Sequence, residues 1–252
     1  MVPEVARLAI RTPRDSARAW EGYWGRVRAT GSAGEVLWDA DIGAEAERYA
    51  VAIDTLMDAR FPVVDVGCGN GQWTRWLAGR FPAATGIDVA ASAVDRARAE
   101  SRGVERASFR VLDLTTPDAG AQLRADYGDA NVFVRGVFHV LRPRQREQLG
   151  HNLHALVGAR GRVLLTETNF RGNPLSYLQS LGAKPGNIPP PLRRAIGGIP
   201  VPGHFGTAER RIAFPEASWS VLDDGPVTIH AVPMSGRETT SIPGYFAMMS
   251  AR

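Results

Sequence analysis

Hydrophobic and polar positions along the chain follow two different periods. In residues 14–59 apolar side chains recur every three or four positions. Trp20, Tyr23, Trp24 and Val27 share one stripe of a helix predicted over 16–28. Ala46, Tyr49, Ile53 and Leu56 share one stripe of a second, predicted over 44–57. The turn Gly31-Ser32-Ala33-Gly34 separates them.

From Pro62 the texture changes to short apolar strands alternating with helical patterns. Strands are predicted at 63–66, 84–88, 107–113, 130–135 and 162–167, with helices through Trp76 and Leu77 and over 92–101. Such spacing requires right-handed crossovers and a parallel sheet. Apolar runs at 219–222 and 227–232 flank Asp223-Asp224-Gly225-Pro226, which has turn chemistry, so an antiparallel hairpin is expected to close the sheet. The expected fold is α/β, doubly wound and Rossmann-like: a mostly parallel seven-stranded sheet with an antiparallel C-terminal hairpin. Residues 1–59 form a helical cap on it and 60–252 the main domain. Within that domain the Gly- and Pro-rich stretch 170–206 is a loop or helical insertion over the active site.

Composition narrows the class without naming it. A hydrophobic fraction of 44% and a charged fraction of 22% are ordinary for a soluble globular protein. One cysteine rules out an internal disulfide framework, and neither a membrane-length apolar run nor a signal-like start is visible, so a cytoplasmic protein is expected. The net charge of +4 invites a nucleic-acid reading. Yet Lys184 is the only lysine, and the arginines are spread among acids as GC-rich codon usage would leave them. The densest run, Arg142-Pro143-Arg144-Gln145-Arg146, reads as a solvated helix start. No metal-ligand pattern joins the five histidines.

The chemistry lies in the loop Asp65-Val66-Gly67-Cys68-Gly69-Asn70-Gly71. A dinucleotide fingerprint needs glycine at its first, third and sixth positions, and the sixth from Gly67 is Gln72; the Gly-Lys-Ser/Thr ending of a P-loop is absent too. An acid two residues before the first glycine instead suits an adenosyl-sulfonium ligand, whose amino group Asp65 orients while loop amides meet its carboxylate. Asp88 ends the second strand 21 residues after Gly67, a spacing fit for both ribose hydroxyls. Asp113 ends the third strand, where a carboxylate accepts from an adenine amino group and the next amide meets a ring nitrogen. Singly, Asp88 or Asp113 would read first as a helix N-cap, Gly71 could serve as a packing glycine, and Cys68 reads as a small filler of a tight turn.

Together these motifs make residues 62–170 resemble the class I S-adenosylmethionine-dependent methyltransferases. The resemblance implies that Asp65, Gly67, Cys68, Gly69 and Gly71 hold the methionine moiety of S-adenosylmethionine. It implies Asp88 with Val89 for the ribose and Asp113 with Leu114 for adenine, S-adenosylhomocysteine being the product. It also implies that Arg135-Gly136-Val137-Phe138-His139 lines the cofactor and the transfer site. His139 is then the candidate general base, a structural histidine being the alternative. Tyr23, Trp24 and Trp38 are expected over a substrate pocket, with Trp20 in the core. Glu167 either orients a polar substrate or caps the next turn, and His204 is a second, weaker candidate. Asn131-Val132-Phe133-Val134-Arg135-Gly136 replaces the Asn/Asp-Pro-Pro-aromatic run of amino-group methylating relatives.

The expected function is methyl transfer to a small organic acceptor, oxygen first, in natural-product metabolism, by a monomer or homodimer. A peptide or RNA methyltransferase and a non-catalytic cofactor-binding protein are the alternatives.

Overall fold

Two helices, α1 (Ser16–Trp24) and α2 (Gly43–Leu56), precede the first strand of the computed structural model, which describes residues 15–200, 202–233 and 239–252. The start of the chain, read above for a leader, lies outside the described residues. The Asp15 carboxylate caps α1 by accepting from the Arg18 amide at 2.8 Å. Next come β1 (Val63–Val66), α3 (Gln72–Ala78), β2 (Ala84–Asp88), α4 (Ala91–Glu100), β3 (Ala107–Val111), α5 (Ala119–Tyr127) and β4 (Asn131–Arg135). A single 3₁₀ turn (Phe138–Val140) leads into α6 (Pro143–Val157), started by proline at its first turn, and β5 (Val163–Thr168) follows.

The seven-stranded sheet has the order β3-β2-β1-β4-β5-β7-β6, where β6 is Trp219–Ala231 and β7 is Thr240–Ala251. Strands β1 to β5 are parallel, whereas β7 runs antiparallel to both β5 and β6. The period of two along each strand assigns side chains to layers. Val132 and Val134 of β4, Val163 and Leu165 of β5, and Ala247 and Met249 of β7 pack on α5 and α6 through Leu123, Leu149, Leu153 and Leu156. The intervening Phe133, Leu164, Phe246 and Met248 pack the other way, on Tyr49 and Ile53 of α2 and Trp73 and Leu77 of α3.

The closing pair differs from the expected hairpin. β6 runs unbroken through Asp223-Asp224-Gly225-Pro226, with a register shift that leaves Leu222 as the extra residue of a bulge. Its antiparallel partner is β7, where no strand was expected. β6 is the sheet edge, and there proline costs no central ladder bond.

The stretch 171–206 holds two short helices, α7 (Pro174–Ser180) and α8 (Pro190–Ile196), ahead of α9 (Thr207–Ala213). Leu178, Leu192, Ala195 and Ile196 pack in one cluster with Tyr23, Trp24 and Leu37 of the N-terminal segment and with Ile229 and Ile242 of β6 and β7. Among the described residues no helix is long and apolar enough to cross a membrane.

Candidate active site

Strand order reverses between β1 and β4, and the loops leaving their carboxyl ends diverge to open a crevice. The loop after β1 is fastened to β2 by the amides of Gly67 and Cys68, which donate to the Ile87 carbonyl at 2.7 and 3.0 Å. Gly67 (φ +74°) and Gly69 (φ +54°) occupy the left-handed region. A Cβ on Gly67 would stand 2.5 Å from Val137 Cγ2, and one on Gly69 2.8 Å from the Trp24 ring. Only glycine keeps the main chain of this loop bare for a ligand.

Asp88 ends β2 beneath the loop. Its Oδ2 accepts from the Gly69 amide at 3.0 Å and its Oδ1 from the Ala90 amide at 2.9 Å. Burial pushes its pKa up to about 6, although these amides pull it down. Each oxygen keeps acceptor capacity for a hydroxyl. Asp113 lies two residues beyond β3, its Oδ1 held by the Thr115 amide at 2.8 Å and hydroxyl at 2.7 Å.

These groups line one cavity of about 500 Å³, with Gly67, Cys68, Gly69, Asp88, Val89, Asp113, Leu114, Arg135, His139, Trp24 and Trp38 on its wall. Trp20 lines it as well, half-buried, contrary to its expected place in the core. A bare glycine cradle, a buried acid under it and a second acid across the crevice fit an adenosyl cofactor with an amino-acid tail.

Besides Phe138, fully buried in the core, five expected site residues do not reach this wall. Asp65 is buried, accepts from the Thr74 hydroxyl at 2.5 Å, and is raised by burial to about 7. Gly71 starts α3 against Phe109 and Ala97. Tyr23 is wholly buried and stacks on Trp38, centroids 5.4 Å apart. His204 is half-exposed, 3.1 Å from Glu209.

Glu167, the fifth, neither faces substrate nor caps the turn that follows it. Its Oε1 accepts from the amides of Val137 and Phe138 at 2.9 and 2.8 Å, and its Oε2 from the His139 amide at 3.1 Å. The same Oε2 lies 2.7 Å from His139 Nδ1. A fully buried carboxylate thus shapes the turn after β4 and orients the ring on the cavity wall.

Arg135 lines the cavity, but its guanidinium is committed. Nε and Nη2 donate to the two Glu45 oxygens at 2.8 and 2.7 Å. Burial works against the Glu45 charge, yet Arg135 outweighs it and holds the carboxyl below its ordinary value. Glu45 also accepts from the Tyr49 hydroxyl and the His230 amide, joining α2 to β4 and β6.

Sequence reasoning missed Glu45, Asp39 and the α7–α8 side chains. Asp39 lines the cavity beside the glycine loop and accepts from Asn70 Nδ2 at 3.0 Å and from the Gly31 amide. No local pattern marks such groups, because Asp39 meets Asn70 31 residues on, and Glu45 meets Arg135 and His230 90 and 185 residues on.

Comparison with known proteins agrees with this geometry. Residues 63–161 match the model of a methyltransferase domain family. A solved S-adenosylmethionine-dependent methyltransferase from Anabaena variabilis superposes with a TM-score of 0.83 at 30% identity, over 97% of this chain and 98% of that one. Trans-aconitate 2-methyltransferase of Acidovorax ebreus is 32% identical over 129 residues, which is 43% of this chain and 50% of that protein. Methyltransferase nsrG of Aspergillus novofumigatus is 29% identical over 167 residues, 64% of this chain and 62% of that one. The matches thus span only half to three-fifths of these two curated relatives. Near full-length likeness to the Anabaena enzyme, with the crevice just described, makes this chain a member of the S-adenosylmethionine-dependent methyltransferases.

Proposed function

We propose that the enzyme methylates an oxygen of a small organic acceptor held in the cavity, with His139 as general base. The observation that carries this reading is the His139–Glu167 pair on the cavity wall. When bound, S-adenosylmethionine supplies a methyl on a sulfonium, which an acceptor oxygen takes as the carbon–sulfur electron pair returns to sulfur. The chain's own work is alignment, exclusion of water and disposal of one proton. Gly67 and Gly69 seat the cofactor tail, Asp88 its ribose and Asp113 its adenine. With Nδ1–H donated to Glu167, His139 Nε2 is the free base that receives the acceptor hydroxyl proton, and the carboxylate balances the imidazolium formed. The N-terminal cap and the α7–α8 lid serve as the cover, which favours a small acceptor over a macromolecule.

The Acidovorax relative is named for trans-aconitate, a tricarboxylate. Among the described residues the arginine lining this cavity is Arg135, whose charge Glu45 already neutralises, so a polyanion is poorly served here.

Release of S-adenosylhomocysteine over a panel of small hydroxy and amino compounds tests the reading, with the methylated atom fixed by NMR. His139→Ala should lower turnover by about 10² to 10⁴ and leave S-adenosylhomocysteine affinity unchanged. Unaltered turnover would remove His139 as base, and an N-methyl product would remove the oxygen assignment.

A further inference from the structure

Beyond the cofactor loop the cavity is walled mainly by aromatic and aliphatic side chains of the cap, the lid and the edge strands. Trp20 and Trp38 meet edge to face there, centroids 5.6 Å apart at 73°, and the Tyr23 stack buttresses Trp38 from behind. Leu178, Leu192, Ile229 and Ile242 supply the remaining surface, from the lid and from the edge strands. Both indoles stay half-buried while Tyr23 is fully buried, so the cap keeps ring surface available to the cavity.

Polar side chains line the cavity as well, Gln145 and His230 among them. His139 and Thr168 line it, and Tyr177 of α7 sits within hydrogen-bonding reach of Thr168. Burial lifts the Tyr177 phenol to about 12, so it remains a neutral donor. None of the three carries a fixed charge. Of the acids on the wall, Asp88 and Asp113 belong to the cofactor end, Asp39 holds Asn70 and the Gly31 amide, and Asp15 holds the Arg18 amide of its α1 cap. Arg135 is neutralised by Glu45. A carboxylate or phosphate taken into this part of the cavity would be desolvated without a counter-charge. An ammonium would find no carboxylate on the wall that is free of donors from the chain itself.

We infer that the acceptor is a compact, uncharged hydroxy compound built on one or two fused rings. The ring system lies against Trp20 and Trp38, and the hydroxyl lies among His139, Thr168 and Tyr177. This inference rests on the reading of transfer to an acceptor oxygen in this cavity, and it fixes the substrate class. The cavity of about 500 Å³ must hold cofactor and acceptor together, which sets the size limit.

Calorimetry on the full chain saturated with S-adenosylhomocysteine tests the class without turnover. The probes are 2-naphthol, its anionic isostere 2-naphthoate, the cationic 2-naphthylmethylamine, and tricarballylate as polyanion. The expected result is 2-naphthol binding at least tenfold tighter than each charged probe. Trp20→Ala and Leu178→Ala should each weaken it by tenfold or more, with S-adenosylhomocysteine affinity within twofold of wild type as the check on folding. Equal or tighter binding of any charged probe would overturn the inference. So would indifference of 2-naphthol to both substitutions, or no 2-naphthol binding where S-adenosylhomocysteine binds. Binding of 2-naphthol that never yields a methyl ether would support the class and sink the oxygen-transfer reading, so the two failures are distinct.

Discussion

Asp88 holds two backbone amides and still offers lone pairs to a ligand, and both duties require its charge. Because burial places its pKa near 6, protonation begins just below neutrality. Affinity for S-adenosylhomocysteine should therefore fall between pH 7 and pH 5, and Asp88→Asn should weaken binding by at least tenfold (about 1.4 kcal/mol) while flattening that pH dependence. Calorimetry across this range reads both outcomes, and wild-type affinity in the variant would refute the ribose assignment. Asp88 was legible because its spacing from Gly67 is a local property of one strand–helix–strand unit. The Glu167–His139 pair was not, since 28 residues separate the two and only the adjacency of β4 and β5 joins them. Trp20 and Tyr23 show another limit: periodicity puts both on one stripe, but the cap's tilt decides which reaches the cavity.

At the scale of elements, two ion pairs attach the cap and the lid, with unequal weight. Arg135–Glu45 is buried on both sides, and its bidentate contact ties α2 to β4. Glu45→Ala leaves a buried guanidinium uncompensated and should cost about 3 to 5 kcal/mol. Urea denaturation measures this, and Arg135→Met in the same chain should recover part of the loss. Arg194–Glu35 joins α8 to the cap with both side chains about three-tenths exposed, so Arg194→Ala should cost under about 1 kcal/mol. All five parallel strands were legible from their apolar runs; β6 was read as two strands split by a turn, and β7 was not read at all. Asp223-Asp224-Gly225-Pro226 has turn composition but lies in an edge strand, where exposed acids and proline are tolerated. Pro243-Gly244 similarly disguised β7, which the ladders on both of its sides hold extended.

For the molecule as a whole, buried acids set the response to pH. The folded-state pKa values of Asp65 and Asp88 lie above their ordinary value, so both prefer to be protonated in the native state. Their contribution to stability is fully present below about pH 4 and is lost as pH rises through about 6 to 7. Asp65→Asn, which keeps an acceptor for Thr74, should raise the Tm of the unliganded protein at pH 8 and raise it less at pH 5.5, where only part of that contribution has been lost. Equal shifts at both values would show that Asp65 is not held protonated. The cover over the cavity has a consequence in time. It is assembled from segments more than a hundred residues apart, 16–39 and 174–200, that share one apolar cluster, and Trp24 packs directly on the cofactor loop at Gly69. Departure of spent cofactor and product through this cover requires those contacts to part, so egress, not chemistry, should pace the cycle. Rapid-quench measurements with a competent acceptor should then show a burst of one methylated product per enzyme before a slower steady rate. Loosening the seam with Arg194→Ala should speed the slow phase and leave the burst unchanged.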